Sequence, residues 1–584
     1  MDSATEPYQY DALDGTSPQV RLLSLMPAED KNAKVCCTLK TATFPPEEAY
    51  DALSYVWGSL EAVQTVSVNG RSLAITENLH TALRNIRHQT KAKTLWADGI
   101  CINQQSIDDK NNQVRIMKDI FATAETVLVW IGEEDTALGP IIRHLDRNSC
   151  TENPAEVPST SSVYMFGHPW WSRVWTLQEF AVAQNDPVFV CGSSAASWES
   201  IREILTKKVP GDDRPLRSAV LISVHNGLKI REVDLLRMMA SASSRSLDEL
   251  VLRMKGRHAS DKRDYIFGLV GLMKDSASAL QPDYTKSTAY VYQQATMWAI
   301  GQSSNLDILF RAPYRRVTGL ASWCVDFSCT SFVSPTLQYA WLPGSDIYSA
   351  DGRKQMPDPK YDPDAGTIEV TGVRLSLVET MHSLLGVMNK SGRIAKWELF
   401  LEFLARFTVA SHHCLSRRWS REEVARFLAA GNTGKLARGI SDAKFKGQGD
   451  DMTATFPEGY SLMCAHALGA NRITELGLAG LFPRIPENLA YLSSKCTAAM
   501  TAMAKNISPG CLFTTDAGYI GHSGHPISKG DVVCLLYGFS VPAVLREQGD
   551  GTYKFVTFAY VDGLMRGQFF RENADYKEDI FILR

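Results

Sequence analysis

The stretch from Lys93 to Gly132 most constrains what this chain can fold into, because it reads as strand, loop, helix and strand with nothing left over. Lys93-Thr94-Leu95-Trp96-Ala97-Asp98 is a short apolar run without glycine or proline that ends on a carboxylate. Such a run suits a buried parallel strand whose carboxyl end opens into a site. A polar loop follows. Asp108 or Asp109 can cap a helix on which Val114, Met117, Ile120, Phe121 and Ala124 recur at helical spacing, and Thr126-Val127-Leu128-Val129-Trp130-Ile131 supplies the next strand. The two strands are expected side by side in a mainly parallel sheet, joined by a right-handed crossover. Open α/β sheets bind ligands beyond the carboxyl ends of their strands, and Asp98 stands at such an end.

Taken in order, residues 1–19 are mostly polar and expected to be mobile. Val20-Arg21-Leu22-Leu23-Ser24-Leu25 and Ala33-Lys34-Val35-Cys36-Cys37-Thr38-Leu39 read as two strands flanking the main sheet, and Asp51 to Gly58 as the next. Asn69-Gly70 between Val66-Ser67-Val68 and Leu73-Ala74-Ile75 is a hairpin signal, after which Thr76 to Asn78 can cap a helix carrying Leu79, Ala82, Leu83 and Ile86. A helix through Ile141, Ile142 and Leu145 precedes a loop at 148–162. Pro169 or Ser172 can then start a helix with Val174, Leu177 and Ala181 toward the sheet, before a closing strand at Val188-Phe189-Val190-Cys191. Trp170 and Trp171 are read as cover for the sheet edge.

A chain of 584 residues is too long for one hydrophobic core. The expected division is a first domain at 1–195, a mainly helical region at 196–345, a mixed, mainly helical region at 346–504 and a β-rich unit at 505–584. Thr367–Ser376 reads as strand and 394–430 as helices. In the tail, Cys511–Tyr519, Asp531–Tyr537, Ala543–Arg546, Tyr553–Tyr560 and Met565–Phe570 read as short strands of a small antiparallel sheet or barrel. Its apolar Val532, Val533, Leu535, Leu536, Val544 and Leu545 exceed what a solvated tail exposes.

A net charge of −3 offers no electrostatic argument for nucleic acid or an anionic membrane as partner. The start lacks a signal peptide's basic and apolar regions, and no apolar run approaches the ~18 residues of a membrane span, so a cytoplasmic location is expected. Twelve cysteines without CxxC pairs read as reduced, mostly buried thiols rather than a disulfide framework or a zinc site. Cys101 beside Ile100 and Ile102 is read as a small hydrophobe, and His412-His413-Cys414 lacks a second cluster to complete a metal site. No phosphate loop of the GxxxxGKS type and no GxGxxG after a strand occurs, and no metal or resident cofactor is expected.

Ser54, Tyr55, Trp57 and Gly58 at one strand end, Asp98 at another and Glu179 on a later helix can meet at the carboxyl edge of the sheet. Two plainer readings compete. Asp98 can cap the loop at 100–104, and Glu179 can pair with Arg173.

Four linked segments resemble the fungal heterokaryon incompatibility (HET) domain in order and spacing. They are Tyr50-Asp51-Ala52-Leu53-Ser54-Tyr55-Val56-Trp57-Gly58, Leu95-Trp96-Ala97-Asp98-Gly99-Ile100-Cys101-Ile102-Asn103-Gln104, Gln113-Val114 to Trp130-Ile131-Gly132, and Trp171-Ser172-Arg173-Val174-Trp175-Thr176-Leu177-Gln178-Glu179. Asp261–Leu272, Pro282-Asp283-Tyr284, Ala321–Asp326 and Gly530–Arg546 resemble the flanking regions of such proteins. The resemblance implies non-self recognition and programmed cell death in filamentous fungi, and a distant, TIR-like fold in which a mainly parallel sheet is flanked by helices. Asp51-Ala52-Leu53-Ser54-Tyr55 is similar to the first-strand TIR motif. Ser172 to Phe180 is similar to the TIR motif Ser-x-Trp-Cys-x-x-Glu-Leu, with one more residue before Trp175 and Thr176 in place of the cysteine. By that likeness Glu179 would be the catalytic residue of an NAD glycohydrolase, with Ser54, Tyr55, Trp57, Gly58, Asp98 and Trp175 around a nucleotide or other small-molecule substrate. NAD would then be substrate rather than cofactor. The alternatives are a non-catalytic death-signalling module acting through a fungal incompatibility partner protein or a homo-oligomer, and a HET-like enzyme recruited to specialised metabolism.

Overall fold

The computed structural model describes residues 6–14, 17–146, 165–206, 246–273, 280–329, 348–383 and 511–584, apart from a few single positions, together with Arg237. The chain divides into two compact units, Met1–Val291 and Tyr292–Arg584.

The first unit holds one nine-stranded sheet, whose strands in chain order are β1 (Gln19–Leu25), β2 (Cys36–Thr43), β3 (Asp51–Ser54), β4 (Val63–Val68), β5 (Arg71–Thr76), β6 (Lys93–Trp96), β7 (Thr126–Trp130), β8 (Val188–Cys191) and β9 (Ser194–Ser197). Across the sheet the order is β5-β4-β2-β1-β6-β3-β7-β8-β9. The expectation of a mainly parallel sheet holds only at the centre, where β6, β3, β7 and β8 run parallel; of the other pairs only β2 with β4 is parallel. The pairs β4–β5 and β8–β9 are antiparallel because their short connections allow nothing else. Asn69-Gly70, both at positive φ, joins β4 to β5, and Gly192, at φ +59°, turns β8 into β9.

β6 and β7 share the sheet but are not neighbours, contrary to the expected adjacency. β3 lies between them, with Asp51 opposite Leu95 on one side and Thr126 on the other. Ala52, Leu53 and Ser54 are all buried, and pairing on both edges satisfies the backbone of so short a strand.

Helix α1 (Glu77–Ile86) starts from the Thr76 hydroxyl, which accepts from the Leu79 amide. The short α2 (Asp98–Cys101) follows β6 directly. In α3 (Ile107–Thr123) the cap is Ser106, not Asp108 or Asp109. That leaves Asp109 to turn inward, toward a cation on β1. Beyond α4 (Gly139–Leu145), the segment expected as one helix from Pro169 is broken: Pro169–Ser172 forms a 3₁₀ turn, Arg173 is extended, and α5 runs from Trp175 to Ala181. Helices α6 (Trp198–Thr206), α7 (Leu247–Leu252), α8 (Asp264–Val270) and α9 (Thr288–Ser303) are α-helices among the described residues of 196–345. Trp170, Trp171, Phe180, Phe189 and Trp198 pack as one aromatic cluster beside β8. Residues 6–14, within the segment expected to be mobile, are tied to the sheet unit. Pro7 bridges to Ser72, and the Tyr10 hydroxyl donates to the Ile100 carbonyl at 2.8 Å.

The second unit is built on an eight-stranded sheet: β10 (Lys360–Asp362), β11 (Thr367–Ser383), β12 (Cys511–Thr515), β13 (Ile520–Ser523), β14 (Val532–Leu536), β15 (Ala543–Glu547), β16 (Thr552–Val561) and β17 (Asp579–Leu583). β11 to β12, β13, β16, β15, β14 and back to β11 forms a closed ring. Closure depends on β11, whose register shifts between Arg374 and Ser376 and again between Val378 and Thr380. The shifts let its first half pair with β14 and β17 and its second half with β12. Gly372 admits this contact, since a Cβ there would fall 2.3 Å from the Leu535 carbonyl oxygen. Val378, Phe513, Val533, Val544, Ala559 and Val561 fill the interior.

The segment 565–570, expected as strand, is instead turn and helix (α10, Gln568–Glu572), because Gly563 and Gly567 take left-handed conformations that break an extended run. The helices expected at 394–430, like His412-His413-Cys414, lie outside the described residues.

Candidate functional site

The site forms where β3 and β6 end together. Past Ser54 the chain continues through Tyr55, Val56 and Trp57 to Gly58, which turns at φ +75°. The turn is held by Asn78 of α1, whose amide donates to the Val56 carbonyl while its oxygen accepts from the Trp130 indole at 3.0 Å. β6 ends one residue before Ala97, and Asp98 opens α2. One Asp98 oxygen accepts from the Trp57 indole at 2.7 Å and the other from the Gly99 amide at 2.7 Å. Gln104 donates to its backbone carbonyl at 2.9 Å, so the loop-capping role read for Asp98 coexists with its link to Trp57.

Glu179 is buried and lies against β3 rather than on the outer face of α5. The Ser54 hydroxyl donates to its carboxylate, and the Trp170 indole donates to the Ser54 oxygen at 2.8 Å. Arg173 does not close a direct pair with Glu179. Its guanidinium donates to the Tyr55 carbonyl, near enough to Glu179 and to the Tyr55 phenol for its charge to act on both. The bend that aims it is held by Val174 and His258 backbone hydrogen bonds and by buried Arg257, which donates to the Arg173 carbonyl at 2.8 Å.

Burial pushes the Glu179 carboxyl up from 4.5 to about 7; Arg173 and the Ser54 hydroxyl pull it down and the Asp98 charge pushes it further up. Burial, and then Asp98, push the Tyr55 phenol well above its usual range. Ser54, Tyr55 and Glu179 are thus interior groups, Trp57, Asp98 and Arg173 are half-buried, and Gly58 is exposed.

Trp175 does not join this group. Its indole hydrogen-bonds Asp264, and its ring packs over Gly268 of α8. Asp264 also accepts from the Tyr284 hydroxyl at 2.6 Å, and the Tyr284 ring lies between Lys110 and Arg263. Asp261–Leu272 and Pro282-Asp283-Tyr284 therefore brace the sheet unit. Cys101 is buried with its thiol pushed up to about 12, as befits a packed hydrophobe. Among the described residues no group of His, Cys, Asp and Glu is placed to hold a metal ion.

From sequence Trp170 reads as edge cover, Arg173 as a pair for Glu179 and Asn78 as a helix-cap candidate, and the contacts that bring them to the site are missed. Trp170 does pack in the aromatic cluster, but its indole N–H is committed to Ser54. The available signal was that a buried Trp needs a partner for that N–H.

The raised Glu179 value has a stability consequence. The folded protein holds the proton up to about pH 7 whereas the unfolded chain releases it near 4.5, so ionisation opposes folding. Its contribution is most favourable below pH 4.5, declines as pH rises to about 7, and changes by about 3 kcal/mol in all. Urea unfolding of the wild type and Glu179→Gln across that window is expected to show the wild type losing this amount relative to the variant. A pH-independent difference would show that Glu179 titrates as in the unfolded chain.

Residues 50–179 match the family described as Heterokaryon incompatibility protein (HET), and residues 491–583 match the Het-6 beta-barrel domain. The Ser54–Glu179 network lies inside the first match, and strands β12 to β16 of the ring lie inside the second. Over its full length it is 25% identical to Heterokaryon incompatibility protein 6, OR allele, of Neurospora crassa, covering 98% of that relative. The barrel match begins well after β11, so the closing strand comes from outside it. No solved structure matches the chain. Among the described residues no helix is long and apolar enough to cross a membrane.

Proposed function

We propose that this protein serves fungal non-self recognition, as the name of its Neurospora relative describes, and that its HET domain does so by hydrolysing the nicotinamide–ribose bond of NAD with Glu179 as the catalytic carboxylate. The observation that carries the reading is the buried Glu179 carboxylate fixed by Ser54 at the carboxyl end of a parallel strand, with the half-buried Arg173 and Asp98 close enough for their charges to act on it. In the proposed reaction nicotinamide departs with the electron pair of the glycosidic bond. Positive charge then builds on the ribose, where an ionised Glu179 stabilises it; water adds to the anomeric carbon and its proton passes to solvent. Ser54 keeps the carboxylate oriented, and Trp57 is the aromatic at the rim available to the departing ring.

A second reading is favoured by the 6% exposure of Glu179, which suits an internal lock of a module that signals by assembly without turnover. Nicotinamide release from NAD by the purified full-length protein separates the two when measured over a wide protein concentration range alongside light scattering. Release that rises with protein supports hydrolysis. Concentration-dependent assembly with no release transfers the role to signalling.

A further inference from the structure

The second unit contains a half-open cavity of about 270 Å³ whose lining includes Pro313, Arg315, His525, Arg546, Lys554 and Phe555. Four of the lining residues are basic or imidazole and none is acidic. Arg315 hydrogen-bonds the carbonyls of Ala312, Leu320 and Ser322, which satisfies its N–H groups without cancelling its charge; the carboxylate that acts on it is Asp326. Arg546 is paired with buried Asp531 at 2.7 Å. Lys554 is exposed and has no ion-pair partner among the described residues.

Two further observations favour an anionic ligand. Arg546 and Lys554 stand directly opposite each other on antiparallel β15 and β16, so two cations share one face while a single carboxylate, Asp531, is paired there, to Arg546. The Nε2 of His525 is buried without a hydrogen-bond partner, although its ring is held edge-on to Tyr314 with centroids 4.4 Å apart. A buried ring nitrogen without a partner is costly unless a ligand supplies one.

We propose that this cavity is a binding site for a small phosphate-bearing molecule, with Lys554, Arg546 and Arg315 supplying charge and His525 Nε2 a directed hydrogen bond. The volume sits at the lower end for small-molecule sites, which suits a compact phosphorylated metabolite rather than a dinucleotide. Burial holds the His525 imidazole down at about 4, so the ring is neutral at physiological pH, and in its Nε2–H tautomer it donates to a phosphate oxygen once the ring turns toward the cavity. The site is separate from the Glu179 network and does not rest on its proposed chemistry.

The test is calorimetric titration of the full-length protein with inorganic pyrophosphate, against sodium chloride at matched ionic strength. Saturable one-site binding is expected, weakened by at least roughly tenfold in Lys554→Glu and in His525→Gln, the scale of one lost charge-assisted hydrogen bond. Lys554 is exposed, so its replacement leaves the fold in place, and His525→Gln changes no formal charge. Absence of saturable binding overturns the proposal, as does binding of equal strength in both variants, which would show diffuse attraction to surface charge only.

Discussion

Glu179→Gln is expected to retain the fold and to lower NAD cleavage by roughly 10²–10³, the scale of losing one preorganised electrostatic group. The substitution preserves shape, and the amide oxygen still accepts from Ser54, which still accepts from the Trp170 indole. What disappears is the negative charge. The loss should therefore fall on kcat more than on KM, since the charge on ribose exists only as the bond breaks. Because the carboxyl ionises at about 7, wild-type turnover should also rise with pH through neutrality, and that limb should vanish in the glutamine protein. Equal turnover by the two proteins would remove Glu179 from the chemistry even if NAD is cleaved, and attention would pass to Asp98.

Features written in a few contiguous residues were legible from sequence. Asn69-Gly70 specifies its hairpin by backbone conformation, Thr76 specifies the start of α1 by one hydrogen bond, and the apolar runs at Lys93 and Thr126 are strands as read. Strand order was not. The placement of β3 between β6 and β7 depends on pairing between residues far apart in the chain, which leaves no local mark. The same holds for the barrel, where a strand expected to end at Ser376 runs on to Ser383 and closes the ring.

At the candidate site, Ser54, Tyr55, Trp57, Gly58 and Asp98 could be grouped beforehand because strand ends converge by geometry. Trp175 was grouped with them too, yet α8, from a later part of the chain, packs on α5 and takes its indole. From sequence Arg173 reads only as a pair for Glu179, because the break at that residue, which turns its guanidinium to the Tyr55 carbonyl, depends on backbone hydrogen bonds with His258. Partners this distant cannot be seen from the motif itself.

Arg21→Met is expected to destabilise the first unit by about 3–5 kcal/mol, the range for removing one partner of a buried ion pair. Arg21 on β1 is 2% exposed, and its guanidinium meets Asp109 of α3 through two hydrogen bonds at 2.8 and 3.0 Å. It also donates to the carbonyls of Cys101 and Asp11, at 3.1 and 2.9 Å. Asp109 in turn accepts from the Asn103 amide at 2.7 Å. One cation therefore ties the loop that follows Asp98 to the sheet and to the N-terminal segment. Methionine fills much of the space but leaves Asp109 buried without its charge partner, so the penalty is chiefly desolvation of an uncompensated carboxylate. Pairing Arg21→Met with Asp109→Leu removes both charges and should recover most of the loss, which separates the electrostatic cost from the lost packing. Urea unfolding of the two single variants and the double variant provides the measurement. A single-variant loss below about 1 kcal/mol would place the pair with weak surface ion pairs, and a double variant no more stable than Arg21→Met would show that the carbonyl contacts, not Asp109, carry the stabilisation.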